Sequence, residues 1–149
     1  MKRVFWVFVL ALLGLELSRP AQARAGQAAF ADGKPYRVVF DLTSRDSLDQ
    51  RAVMRWIREI SASDPKAEME VVMYGKGFEL VMPDRSSRIA DVQEAARNPN
   101  VTFRVCEVAL KNNNTVREQL IKEARTVPDG IREIMMKEQQ GWGYIKVGH

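Results

Sequence analysis

From Tyr36 onward, short apolar runs alternate with segments whose apolar residues recur every three or four positions, the period of an amphipathic helix. Tyr36–Asp41 is a compact apolar run that predicts a first strand, followed by the turn-prone Thr43–Asp46. Ser47 and Gln50 have capping-box spacing, and Leu48, Ala52, Val53, Trp56, Ile57 and Ile60 form one stripe of a helix ending before Asp64-Pro65. Met69–Tyr74 predicts a second strand, closed by Gly75-Lys76-Gly77. Ile89, Val92 and Ala96 then mark a helix before Asn98-Pro99-Asn100. Val101–Cys106 predicts a third strand. Beyond it, Thr115 and Glu118 repeat the capping-box spacing ahead of a helical face made by Val116, Leu120, Ile121 and Ala124. Thr126-Val127 reads as a very short strand, and Asp129 as the cap of a helix carrying Ile131, Ile134 and Met135. Gly141 breaks that helix before a last strand at Tyr144–Val147.

Strands alternating with helices through one domain, with no internal repeat, define an α/β class. The expected architecture is a three-layer α/β/α domain around a mostly parallel sheet of about five strands. In such sheets ligands and reacting groups gather beyond the carboxyl ends of the strands. Asp41, the Gly75–Gly77 loop and Cys106 fall there.

The N-terminal segment has a different character. Met1-Lys2-Arg3 is a short basic start, Val4–Leu15 is almost unbroken apolar sequence, and Ala21-Gln22-Ala23 has the spacing of a signal-peptidase site. Residues 1–23 therefore read as a secretory signal peptide, residues 24–35 as a flexible leader rich in Ala and Gly, and residues 36–149 as the folded domain. The apolar run is too short for a spanning helix, which needs about 20 residues, so the expectation is a periplasmic protein with no membrane anchor after cleavage. Lys2, Arg3, Arg19 and Glu16 leave with the signal, so the 23 basic and 19 acidic residues of the whole chain become 20 and 18, a net charge of +2. So small and interspersed an excess argues against a nucleic-acid partner.

Cys106 is the single cysteine, so the exported domain has no internal disulfide and its thiol is a buried inert group, an intermolecular partner or a reactive one. A nucleophilic thiol needs its thiolate stabilised by a helix N-terminus or a cation. Residues from Glu107 onward can begin a helical turn, and Arg104 lies two residues back on the same strand face. At about 7 Å that charge is worth roughly 2 kcal/mol at an effective dielectric near 20, and about 0.6 kcal/mol in open water. Glu107 acts in the opposite sense if its side chain turns inward. The Gly75-Lys76-Gly77 loop reads first as a tight turn and second as an anion or ligand cradle. Asp41 reads as a helix cap or as a group that orients a ligand. One cysteine and one terminal histidine, His149, do not make a metal ligand set, and no cofactor motif is present.

Phe40-Asp41, Tyr74-Gly75-Lys76-Gly77, Cys106-Glu107, Val127-Pro128-Asp129-Gly130 and Gly141-Trp142-Gly143-Tyr144-Ile145 occur in an order and spacing that resemble the DsrE/DsrF-like sulfur-relay family, in its exported single-domain branch. The resemblance spans about residues 36–147. It implies a three-layer α/β subunit assembled as a homotrimer or homohexamer, with Cys106 at the position that carries sulfur as a persulfide between donor and acceptor proteins. Many members of the family have a histidine where this chain has Tyr74, which argues against a self-sufficient hydrolase and for a sulfurtransferase or sulfur carrier. The alternative is a non-enzymatic oligomeric binding or scaffold protein of the same fold, in which Cys106 is a packed thiol.

Overall fold

Val38, Val39, Phe40, Val71, Val72 and Met73 are all buried. Consecutive burial of this kind means that both faces of the strands are covered, as the parallel arrangement requires. The computed structural model describes residues 36–148. The expected signal peptide (1–23), the leader (24–35) and His149 lie outside the described residues. Five strands, β1 (Arg37–Leu42), β2 (Glu68–Met73), β3 (Val101–Cys106), β4 (Ala124–Val127) and β5 (Gly143–Val147), form one parallel sheet in the order β4-β3-β2-β1-β5. Four helices connect them: α1 (Ser47–Ser63), α2 (Ile89–Ala95), α3 (Glu107–Asn112) and α4 (Gly130–Gln139). The expected α/β class and layered architecture are what the chain adopts.

The strand order explains the layering. The connections from β1 to β2, β2 to β3 and β3 to β4 all step in one direction, so right-handed crossovers put α1, α2 and α3 on the same face. The last connection runs back across the sheet, and α4 therefore lies on the opposite face. On the first face Phe40, Leu42, Met69, Phe103 and Val105 meet Val53, Met54 and Ile57 of α1 and Val92 of α2. On the second, Val39 and Val72 meet Ile134 of α4, with Tyr74 and Trp142 packed alongside.

Local details depart from the sequence pattern in four places. Asp46, not Ser47, caps α1, its Oδ1 accepting from the Leu48 amide at 2.7 Å, and Leu48 is 54% exposed rather than part of the inner stripe. The α4 stripe is likewise incomplete, since Ile134 is buried while Ile131 and Met135 face outward. The helix expected from Thr115 to Ala124 is absent. Thr115 Oγ1 donates to the Asn113 carbonyl, only a 3₁₀ turn forms at Arg117–Gln119, and the Ile121 amide donates to the Val81 carbonyl at 3.0 Å. The physical reason is the ladder: Ala124 opposes Phe103 in the β3–β4 pairing, and Leu120 and Ile121 reach the core from extended backbone, so tertiary contacts outweigh the local helical period. The helical turn forms earlier instead, as α3, directly after Cys106. A 3₁₀ segment at Gly77–Val81 that the periodicity does not show buries Phe78, Leu80 and Val81.

The α4 face is also charged. Glu70, in the middle of β2 and 1% exposed, accepts from Thr102 Oγ1 at 2.9 Å and lies 3.0 Å from Lys137 Nζ and 3.4 Å from Arg104 Nε. Burying a carboxylate is tolerated only with such partners. Glu133 joins the group from α4, 3.9 Å from Lys137. Burial and a hydrogen bond with Glu70 push its carboxyl above the ordinary range, against the pull of Lys137 and Arg104. The fold thus favours the protonated form of Glu133.

Two expectations follow from these positions. A Cβ at Gly77 would sit on the Leu42 carbonyl oxygen, a backbone atom that cannot step aside. Gly77→Ala should therefore lower unfolding stability by about 3 kcal/mol or more in denaturant titration, whereas Gly143→Ala, whose Cβ meets its nearest neighbour at 3.6 Å, should cost less than about 1 kcal/mol. For Glu133, a raised carboxyl contributes stability that is complete below its ordinary value and is lost as pH rises through the raised one. Glu133→Gln keeps a donor at all pH values, so its stability relative to the native protein should grow as pH rises above the ordinary carboxylate range. A difference that stays constant as pH rises would contradict the raised Glu133 carboxyl.

Candidate functional site

At the end of β3 the chain passes from Cys106 into α3 with no intervening loop, Cys106 itself being the N-cap residue (φ −69°, ψ 121°). Its register partner Val127 ends β4, and from there Pro128-Asp129 lead into α4. One strand thus exits toward the first helical layer and its neighbour toward the second. This parting is the topological switch point of an open α/β sheet, where a crevice must open beyond the strand ends. The crevice is a cavity of about 470 Å³ whose lining includes Cys106, Tyr74, Lys76, Asn113, Asp129 and Ile131.

Cys106 is 5% exposed. Its back is set by Gly130, the first residue of α4, where a Cβ would lie 3.1 Å from the Cys106 Cβ, 3.2 Å from Val72 and 3.6 Å from the Tyr74 Cβ. Glycine is what lets the α4 N-terminus close on the cysteine. The α4 dipole end is already occupied by Asp129, whose Oδ1 accepts from the Ile131 and Arg132 amides at 2.9 and 3.2 Å.

Behind Tyr74 stands Asp41, 3% exposed at the end of β1. Tyr74 Oη donates to Asp41 Oδ2 at 3.1 Å, and Tyr144 Oη of β5 donates to the same oxygen at 2.6 Å. Asp41 Oδ1 is buried with no hydrogen-bond partner among the described residues. Burial, then the Asp41 charge and hydrogen bond, push the Tyr74 phenol up to about 12, and a smaller push comes from Cys106. The hydrogen bond to Asp41, then burial, push Tyr144 up as well. Both phenols are therefore neutral donors at physiological pH, and Tyr74 faces the thiol without bringing charge to it.

The other expected site residues divide clearly. Lys76 is exposed on the cavity wall with no ion-pair partner among the described residues, and is the cation lining this crevice. Arg104 is turned to Glu70 rather than standing as a free cation beside the thiol. Glu107 is exposed in the first turn of α3 and does not line the crevice. In the Gly75–Gly77 loop, the Lys76 amide donates to the Thr43 carbonyl and the Gly77 amide to the Tyr74 carbonyl, so two of its three N–H groups are already spent within the fold. The loop is a tight turn first, with Gly75 at φ +58°. Helix capping falls to Asp46 instead of Asp41. Among the described residues no three His, Cys, Asp or Glu side chains gather as a metal site. A smaller cavity, about 230 Å³ between α1 and α2, is lined by Met54, Ile57, Arg58, Ser61 and Asp91 among others and lies apart from Cys106.

No protein-family model and no curated protein matches the chain. Among solved structures, the fold is similar to a protein of unknown function, MTH1491 from Methanobacterium thermoautotrophicum, with a TM-score of 0.70 and 27% sequence identity over 74% of this chain and 98% of that one. The likeness supports the α/β fold.

The link of Tyr74 and Tyr144 to Asp41 does not show in the sequence, where a strand-end tyrosine usually reads as packing. The available signal was parity: Asp41 and Tyr74 end neighbouring strands on the same face, and β5 lies on the other side of β1. Of the three tyrosines, Tyr74 and Tyr144 should stay protonated when the solution is raised to about pH 11, as read by phenolate absorbance. Asp41→Asn removes the carboxylate both phenols bond to and should lower both, Tyr144 more completely than Tyr74, whose burial remains. Tyrosines that titrate together near 10 in the native protein would contradict the arrangement.

Proposed function

We propose that the protein is a sulfur carrier that holds sulfane sulfur as a persulfide on Cys106, in line with the resemblance to the DsrE/DsrF-like sulfur-relay family. The observation that carries this reading is the position of the single cysteine at the switch point, on the wall of a crevice between the N-termini of α3 and α4. The Cys106 thiolate attacks the outer sulfur of a donor persulfide. The donor S–S bond breaks, the donor leaves as a thiolate, and Cys106–S–SH remains. The reverse step, with an acceptor thiolate attacking the outer sulfur, hands it on without net oxidation. Lys76 supplies a nearby positive charge and neutral Tyr74 adds no repulsion. On this reading the chain is exported by its N-terminal segment and works in the periplasm as a trimer or hexamer. The exposed Ile131, Met135 and Met136 of α4 give an apolar surface suited to self-association.

A second reading, an oligomeric binding protein with a packed thiol, is favoured by one observation: only 5% of Cys106 is exposed. The two are separated by incubating the purified protein with a low-molecular-weight persulfide and recording intact mass. The carrier should gain one sulfur atom, lose it to added thiol, and gain none as Cys106→Ser. A folded protein whose mass does not change under conditions that load an accessible thiol would leave the packed-thiol reading in its place.

A further inference from the structure

Toward the opposite end of β3 from Cys106, the sheet ends in a cleft of about 450 Å³ over the β3–β4 edge. Thr102, Arg104, Lys122, Glu123 and Arg125 supply its polar lining, with Phe103 and Pro99 among its apolar walls. Arg104 and Arg125 are register partners on adjacent parallel strands, so their side chains leave the same face of the sheet side by side. Like charges set directly opposite one another on neighbouring strands are unfavourable unless something neutralises them. Arg104 has a counter-ion in Glu70 on its other side. Arg125 and Lys122 are both exposed, and neither has an ion-pair partner among the described residues. The single carboxylate in the lining is Glu123, half-buried, with its Oε2 shut away from solvent.

We propose that this cleft is a binding site for a small phosphorylated molecule, held by Arg125, Lys122 and the outward side of Arg104. Three cations converge on one concave surface against one partly withdrawn carboxylate, and two of the three have no internal partner. The planar forks of two adjacent arginines match the oxygens of a phosphate group, and lysine adds a mobile point charge. The volume exceeds what a bare phosphate fills and falls in the range of metabolite sites. The cleft is separate from the cysteine crevice, shares none of its lining, and does not depend on sulfur chemistry.

The test uses inorganic pyrophosphate as probe, titrated into the purified protein and followed by backbone amide shifts and by melting temperature. Saturable shifts confined to residues 102–104 and 122–125, with a melting temperature that rises with pyrophosphate, are expected. Arg125→Ala and Lys122→Ala should each weaken binding on the order of tenfold. Arg125→Ala should also melt no lower than the native protein when pyrophosphate is absent, because it removes the Arg104–Arg125 opposition. Arg51→Ala, an exposed change on α1, should bind as the native protein does. Absence of saturable shifts, shifts centred elsewhere, or equal affinity in the Arg125 and Lys122 variants would overturn the site.

Discussion

Beyond the carboxyl ends of β3 and β4 the backbone parts to opposite faces of the sheet, and the arrangement of the candidate site depends on that divergence. Because β4 is the edge strand and the next strand must pair with β1, α4 has to travel back across the sheet on the face that α1–α3 leave open. Its first residue, Gly130, closes against Cys106, and its far end delivers β5 to the outer side of β1. That delivery is what brings Tyr144 to Asp41. The thiol, the crevice and the tyrosine–carboxylate cluster are thus consequences of one topological choice rather than independent features.

The two faces are stabilised differently. The α1–α3 face is an apolar core in which Phe40, Phe78, Phe103, Leu42 and Met69 are sealed from solvent. The α4 face has only Val39, Val72 and Ile134 as its buried apolar centre, and it places Glu70 beside Lys137, Arg104 and Thr102. Such a buried ionic group adds little net stability, but removing one partner strands the others, which makes it a strong constraint on how α4 can dock. Lys137 sits 4.3 Å from the Trp142 ring centroid, and Arg37 is 6.0 Å from the same ring, so the helix and the approach to β5 are fixed by the same cations. We read the α4 face as specified by charge and the α1–α3 face by volume.

The strands and three of the helices were legible in the sequence because their apolar periods coincide with what the tertiary structure buries. Val101–Cys106 reads as a strand ending on its cysteine and is one. The segment after Asn113 misleads because Val116, Leu120, Ile121 and Ala124 have helical spacing but are used one by one: Val116 is exposed, Leu120 and Ile121 plug the core, and Ala124 pairs with Phe103. Local pattern cannot reveal which of two structures a ladder will claim. At the site, Cys106, Asp41 and Lys76 were visible as strand-end or loop polar groups, whereas Arg104 was visible without its partner. Glu70 carried the missing signal, a carboxylate alternating with apolar residues inside a strand, which has meaning only beside Arg104 on β3 and Lys137 on α4.

The central claim is that Cys106 is a working thiol at the switch point and not a packing residue. Its most direct test is the rate at which iodoacetamide alkylates Cys106 in the native protein, measured across denaturant concentrations well below the unfolding transition. A thiol served by the crevice should react at a rate that is nearly independent of denaturant and far above the global unfolding rate. A rate that climbs with denaturant in parallel with unfolding would show that the sulfur is reached only when the fold opens, and would contradict the account.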